Sequence, residues 1–120
     1  AGPQRLRPPA MSDETSTNFI DPETLRAWMA DGDALLVDVR EEHEYHKAHI
    51  EDSTLIPLSA FDPLAVPPHD GKKLVIHCAS GVRCGVAAQQ LLASGYNGHI
   101  HRLAGGIEAW YHAGGPIVQG

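Results

Sequence analysis

The chain has 120 residues and a mass of 12.9 kDa, enough for one domain built around one core. A formal net charge of −6, with no basic stripe to offset it, argues against nucleic acid as a partner. No apolar run approaches the ~20 residues of a membrane span, no apolar signal segment opens the chain, and two cysteines six positions apart do not form a secreted disulfide framework; a reducing, cytoplasmic setting is expected.

Residues 1–17 read as a disordered leader. Gly2, Pro3, Pro8 and Pro9 break regular structure, the stretch from Ser12 to Thr17 is polar, and residues 1–10, before Met11, read as foreign to the native chain. Residues 18–120 read as the domain. Asn18-Phe19-Ile20 suits a short first strand. Asp21-Pro22 is a helix start, with Asp21 as N-cap, Leu25, Trp28 and Met29 on one face, and Gly32 as the stop. The near-continuous apolar run Ala34 to Arg40 implies a strand buried on both faces, as in a parallel sheet. Asp38 inside it must be hydrogen-bonded or ion-paired. A short polar helix is expected over Glu41 to Lys47, a strand over Ser53 to Leu58, and a proline-rich loop over Phe61 to Asp70. Leu74-Val75-Ile76 reads as a buried strand and Val86 to Ala93 as a helix ended by Gly95. Ile100 to Leu103 reads as a last strand, Gly105-Gly106 as a turn, and Ile107 to His112 as a closing helix. Strands alternating with helices at this spacing predict an α/β parallel sheet, whose functional crevice lies beyond the carboxyl ends of the strands.

Between the strand ending at His77 and the following helix lies Cys78-Ala79-Ser80-Gly81-Val82-Arg83. Small residues let such a loop curl so that successive backbone N–H groups converge on one anion. The first turn of the helix adds its own unpaired N–H groups and the positive end of its dipole. A cysteine sulfur there is favoured as thiolate, the nucleophilic form. Cys78 is therefore the candidate nucleophile. The backbone of Ala79, Ser80, Gly81 and Val82 forms the candidate cradle, and Arg83 supplies a planar cation that orients an anionic donor or braces the loop, paired with a carboxylate such as Asp38. The alternative is a buried structural thiol with a surface arginine.

Three blocks of the chain resemble a known family. They are Leu36-Val37-Asp38-Val39-Arg40 with Glu44-Tyr45 and His49-Ile50, then His77-Cys78 through Arg83, then Leu103 to Ile107 with Trp110 and Gly115-Pro116. In this order, from about Phe19 to Val118, they resemble a single-domain rhodanese, a thiosulfate or persulfide sulfurtransferase. The resemblance implies a five-stranded parallel sheet flanked by helices on both faces, with Cys78 in the active-site loop and Asp38 and Arg40 as structural support. It further implies transfer of a sulfane sulfur through a Cys78 persulfide, with no metal or organic cofactor. The partners would be a small sulfur donor and a thiol or protein acceptor.

Related phosphatases carry one more residue between cysteine and arginine than the four found here, Ala79 to Val82. The tighter loop suits sulfur better than a phosphoryl group, and no general acid is evident. A sulfur carrier, or a redox or nitrosation sensor with little turnover, is the non-enzymatic alternative. Membrane association would require a C-terminal anchor beyond Gly120. Two positions depart from the family pattern. Ala48 stands where glycine is usual, and Cys84 stands where serine or threonine is common. For Cys84 two roles are open: a small helix-start residue, or a resolving thiol that attacks the Cys78 persulfide. His43, His46 and His49 among Glu41, Glu42 and Glu44 have helical metal-ligand spacing but read as a solvated face, and His77 is expected to point away from the cradle.

Overall fold

The two strands with the most continuous apolar runs pair with each other and form the middle of the sheet. In the computed structural model, which describes residues 17–119 apart from 70 and 97, strand β2 (Ala34–Asp38) runs parallel to β4 (Lys73–His77) over its whole length. Strand β1 (Thr17–Ile20) pairs with β5 (Ile100–Leu103), β5 with β4, and β2 with the short β3 (Thr54–Leu55), all parallel, in the order β1-β5-β4-β2-β3. The expected leader lies outside the described residues except for Thr17, which opens β1.

Alternation along the strands sends neighbouring residues to opposite faces. Val37, Leu74, Ile76 and Ile100 pack with Cys84, Ala87, Ala88 and Leu91 of helix α3 (Arg83–Ala93). Leu36, Val75 and Leu103 pack on the other face with Leu25 of α1 (Pro22–Ala30) and with Ile107 and Trp110 of α4 (Gly106–His112). The helix start at Asp21-Pro22 forms as read, with Thr24 N–H donating to the Asp21 carboxylate at 2.8 Å. Leu91, at 1% exposure, is held by the α3 side of the core. Leu91→Ala should therefore cost about 2–5 kcal/mol, read from urea unfolding midpoints at unchanged slope.

The strand expected over Ser53 to Leu58 is shorter than its composition suggests. Only Thr54–Leu55 is regular, and a 3₁₀ turn, Leu58–Ala60, follows. Ile56 N–H still reaches Asp38 O and Leu58 N–H reaches Val39 O, but these acceptors are consecutive rather than two apart, so the ladder loses register and the chain turns at Pro57, the cap of the 3₁₀ turn. A second short helix, α2 (Glu42–Lys47), sits between β2 and β3. No described helix is long and apolar enough to cross a membrane.

Candidate active site at the end of the central strand

Cys78 follows directly on β4, at the carboxyl edge of the sheet and next to the point where strand order reverses, where open α/β sheets place their ligands. Its sulfur receives the Gly81 N–H at 3.2 Å. Helix α3 begins at Arg83 behind Val82, which offers no side-chain cap, so the first-turn N–H groups are free to face the sulfur. Together these groups lower the Cys78 thiol to about 4, against an ordinary value of 9.0. The largest cause is a hydrogen bond from the Cys84 thiol. Burial opposes it, and the N–H groups of Cys84, Gly81 and Ser80 add to it. Cys78 is a thiolate at neutral pH on this basis, and its ultraviolet thiolate absorbance should persist from pH 7 down to about pH 5, fall to half near pH 4 and be largely lost one pH unit lower. Of the cradle residues, Ser80 and Val82 are exposed at the rim, Ala79 is half-buried and Gly81 buried; Cys78 itself has no exposed surface.

The loop is held from below by α4. Ile107 N–H donates to Cys78 O at 2.9 Å and Glu108 N–H to Ala79 O at 3.2 Å, so the first N–H groups of the helix are spent on the cradle backbone. Two consecutive glycines in the left-handed region, Gly105 at φ +74° and Gly106 at φ +62°, let the chain turn into α4 at this distance.

Arg83 does not meet Asp38. It donates to both carboxylate oxygens of Glu44, at 2.8 and 3.0 Å, and this hydrogen bonding carries Glu44 down to about 2. Glu44 is oriented for the purpose by its own helix start, since Glu41 N–H donates to its Oε1 at 2.8 Å. A carboxyl with a folded pKa below its ordinary 4.5 stabilises the fold above that value and loses the contribution as pH falls from 4.5 to about 2. Because the two side chains are 33% and 26% exposed, Glu44→Gln should cost no more than ~1 kcal/mol at pH 7 and only a small part of that at pH 2, measured by thermal unfolding at the two pH values.

Asp38 finds its partner two residues on. Arg40 donates through Nε and Nη2 to both Asp38 oxygens at 2.8–3.1 Å, and its backbone N–H adds a bond at 2.9 Å. The remaining guanidinium donors reach Ala48 O at 2.8 Å and Glu44 O at 3.4 Å. The buried pair thus ties down α2 at Glu44 and at its C-cap, Ala48, and, through Glu44, the brace on Arg83. Ala48 adopts ordinary extended backbone (φ −169°), so alanine replaces glycine there without strain, and its carbonyl belongs to the Arg40 network. His77 lies under the loop: Nδ1 contacts Cys78 O at 3.2 Å, and Nε2 lies 3.5 Å from Asp38 Oδ2 without a hydrogen bond.

Cys84 is buried beside the nucleophile. Its Sγ lies 3.2 Å from Gly81 O, and proximity to the Cys78 sulfur together with burial raises its pKa, so it is held as thiol. Among the described residues no three His, Cys, Asp or Glu side chains converge as a metal site; His49 stacks on Tyr45 while His46 faces Glu42. Two participants were not singled out from sequence. Glu44 carries no role in the sequence reading, where it stands in a family block and among the acidic residues of a solvated face, although its position three residues after Glu41 marks a capping box. Arg102, on β5, reaches the loop from a strand 18 residues downstream of Cys84, which no local spacing reveals.

With this arrangement in view, comparison with known proteins is decisive for the family. The model of the Rhodanese-like domain matches residues 21–113, and the chain belongs to that family. A solved rhodanese-related protein of Thermoplasma volcanium superposes with a TM-score of 0.74 at 29% identity, covering 86% of this chain and 99% of that one. An uncharacterized protein of Synechocystis is 43% identical over 110 residues, 91% of this chain and 61% of the relative. The tRNA uridine(34) hydroxylase of Escherichia coli K12 is 34% identical over 95 residues, 74% of this chain and 27% of the hydroxylase. The chain therefore spans only part of the length of these two relatives.

Proposed function

We propose that this domain is a sulfurtransferase that carries a sulfane sulfur on Cys78. The observation that supports it best is the Cys78 sulfur itself, ionised near pH 4 and ringed by the N–H groups of Ser80, Gly81 and Cys84 rather than by a general base. Such a ring stabilises a thiolate and, one bond further out, the terminal sulfur of a persulfide equally well. The Cys78 thiolate attacks the outer sulfur of thiosulfate, the S–S bond breaks, and sulfite leaves with its electron pair. An acceptor nucleophile then attacks the outer sulfur of Cys78–S–S⁻ and regenerates the thiolate. Cyanide serves in the assay, and a thiol or acceptor protein in the cell. No proton need be supplied in either step. Arg83, fixed on Glu44, braces the loop and keeps a positive charge close to the incoming anion. Because Cys78 is fully covered, donor access requires movement of the exposed rim at Ser80 and Val82. A free low-pKa thiolate of this kind fits a reducing compartment such as the cytoplasm.

The test is thiosulfate:cyanide transfer by the wild type and by Cys78→Ser, with mass spectrometry of the thiosulfate-treated protein. Thiocyanate production that disappears in the variant, with one sulfur atom added at Cys78, is the expected result. A stable persulfide without turnover would instead mark a carrier. No added sulfur from thiosulfate or from a small persulfide would sink the reading.

A further inference from the structure

Gly81 does two things at once. Its N–H is on the Cys78 sulfur, and its carbonyl receives Arg102 Nη2 at 3.1 Å and lies 3.2 Å from the Cys84 sulfur. We propose that Arg102 clamps the Gly81 carbonyl, which positions the cradle N–H groups on the reacting sulfur and frees the Cys84 S–H, also within reach of that carbonyl, to serve Cys78. This deepens the sulfurtransferase reading and rests on it for its catalytic meaning.

Three observations carry the clamp. Gly81 sits at φ +105°, a region that glycine enters freely along with many others, so outside contacts must select the one orientation that points its carbonyl away from the Cys78 sulfur. The Gly81 N–H sits on the Cys78 sulfur at 3.2 Å while Arg102 Nη2 holds the carbonyl of the same residue at 3.1 Å, so the contact that fixes the carbonyl also steadies the residue whose N–H holds the sulfur. The Cys84 thiol has one proton and two acceptors within reach, the Gly81 carbonyl and the Cys78 sulfur. With Arg102 already satisfying the carbonyl, that proton can be given to the thiolate at no loss to the loop.

Arg102 is itself placed by design of the surrounding sequence. Its guanidinium stacks over the Phe19 ring at 4.2 Å, and Nε approaches Cys84 Sγ at 3.5 Å. It crosses the first turn of α3 where Gly85 leaves room: a Cβ on Gly85 would lie 2.7 Å from Arg102 Nη2. Gly85 has no positive φ to explain it, and glycine weakens a helix. The passage of Arg102 accounts for it.

The experiment follows the ultraviolet titration of Cys78 and the rate of persulfide formation from thiosulfate in the full chain carrying Arg102→Ala, Arg102→Lys, Cys84→Ala or Cys84→Ser. Cys84→Ser keeps a donor and should stay within about threefold of wild type in rate with the same titration midpoint. Cys84→Ala and Arg102→Ala should each raise the midpoint by about two pH units and so slow persulfide formation at pH 5 about tenfold. Arg102→Lys, which restores one donor and the charge, should recover part of both. A purely structural role would change melting temperature and leave the midpoint of the folded protein where it was. Unchanged midpoints in Arg102→Ala and Cys84→Ala overturn the clamp, and if Arg102→Ala fails to fold, the two Cys84 variants decide it by the same readout. Shifted midpoints in a protein whose wild type forms no persulfide would uphold the clamp and remove the sulfurtransferase reading instead.

Discussion

Gly106→Ala should destabilise the domain by more than about 4 kcal/mol and abolish the low-pH thiolate signal of Cys78, whereas Gly71→Ala should cost only about 1–2 kcal/mol and leave the signal intact. Both glycines have positive φ, +62° and +81°, so both substitutions place an alanine in the left-handed region. They differ in what the new methyl group would meet. At Gly71 nothing lies within 4 Å. At Gly106 the Cβ would fall 2.3 Å from Cys78 O and 2.5 Å from Ala79 C and O, all backbone atoms with no rotamer to yield. Either α4 must lift off the loop, forfeiting the bonds from Ile107 and Glu108 N–H, or the loop must shift and take Cys78 with it. Thermal unfolding of the two variants, with the ultraviolet titration of whatever remains folded, separates the contact from the φ penalty they share. Equal losses in both variants would show that the close approach carries no weight.

Removing the Arg40 side chain should be almost as damaging, for an electrostatic reason. Asp38 is wholly buried, and among the described residues the hydrogen bonds to its carboxylate come from Arg40. Arg40→Ala therefore strands a carboxylate in the interior, a change expected to cost about 3–5 kcal/mol by denaturant unfolding. The intact pair need not be strongly stabilising in itself, since taking two charges out of water offsets much of their attraction. Hence Asp38→Leu combined with Arg40→Leu should cost less than Arg40→Ala alone, although it still loses the guanidinium bonds to Ala48 O and Glu44 O. A double variant worse than the single would mean that anchoring α2, not pairing the charge, is the main service of Arg40.

What the sequence disclosed and what it withheld divide along chemical range. Ala34 to Asp38 and Lys73 to His77 were legible because a strand buried on both faces must be apolar throughout, and Cys78 to Arg83 because a curled loop between strand and helix needs small residues locally. The partner of Arg83 was not legible. Asp38 and Glu44 are both carboxylates upstream of it, and only the packing of α2 beside the loop decides for Glu44. Gly105-Gly106 could be read as a turn, but its contact with the Cys78 carbonyl lies 28 residues away in sequence and leaves no periodic trace. The Ser53 to Leu58 segment reads as a short strand ending at its proline, yet regular pairing covers only Thr54–Leu55, because the register that Asp38 and Val39 offer beyond it is set by packing and not by local composition.

The seating of α4 under the cradle also sets the order of events during synthesis. Cys78 emerges long before Gly106, Ile107 and Glu108, and a chain ending short of them has no donors for the carbonyls of Cys78 and Ala79. Such long-range closures come late in folding, after their loop entropy has been met by the rest of the sheet. Until the loop that sets Ser80, Gly81 and Cys84 around the sulfur is held in place from below, Cys78 should behave as an ordinary thiol, mostly protonated at neutral pH. The reactive sulfur is thus switched on by completion of the fold, so a half-made or locally opened chain carries little of the nucleophile that oxidants and electrophiles would consume.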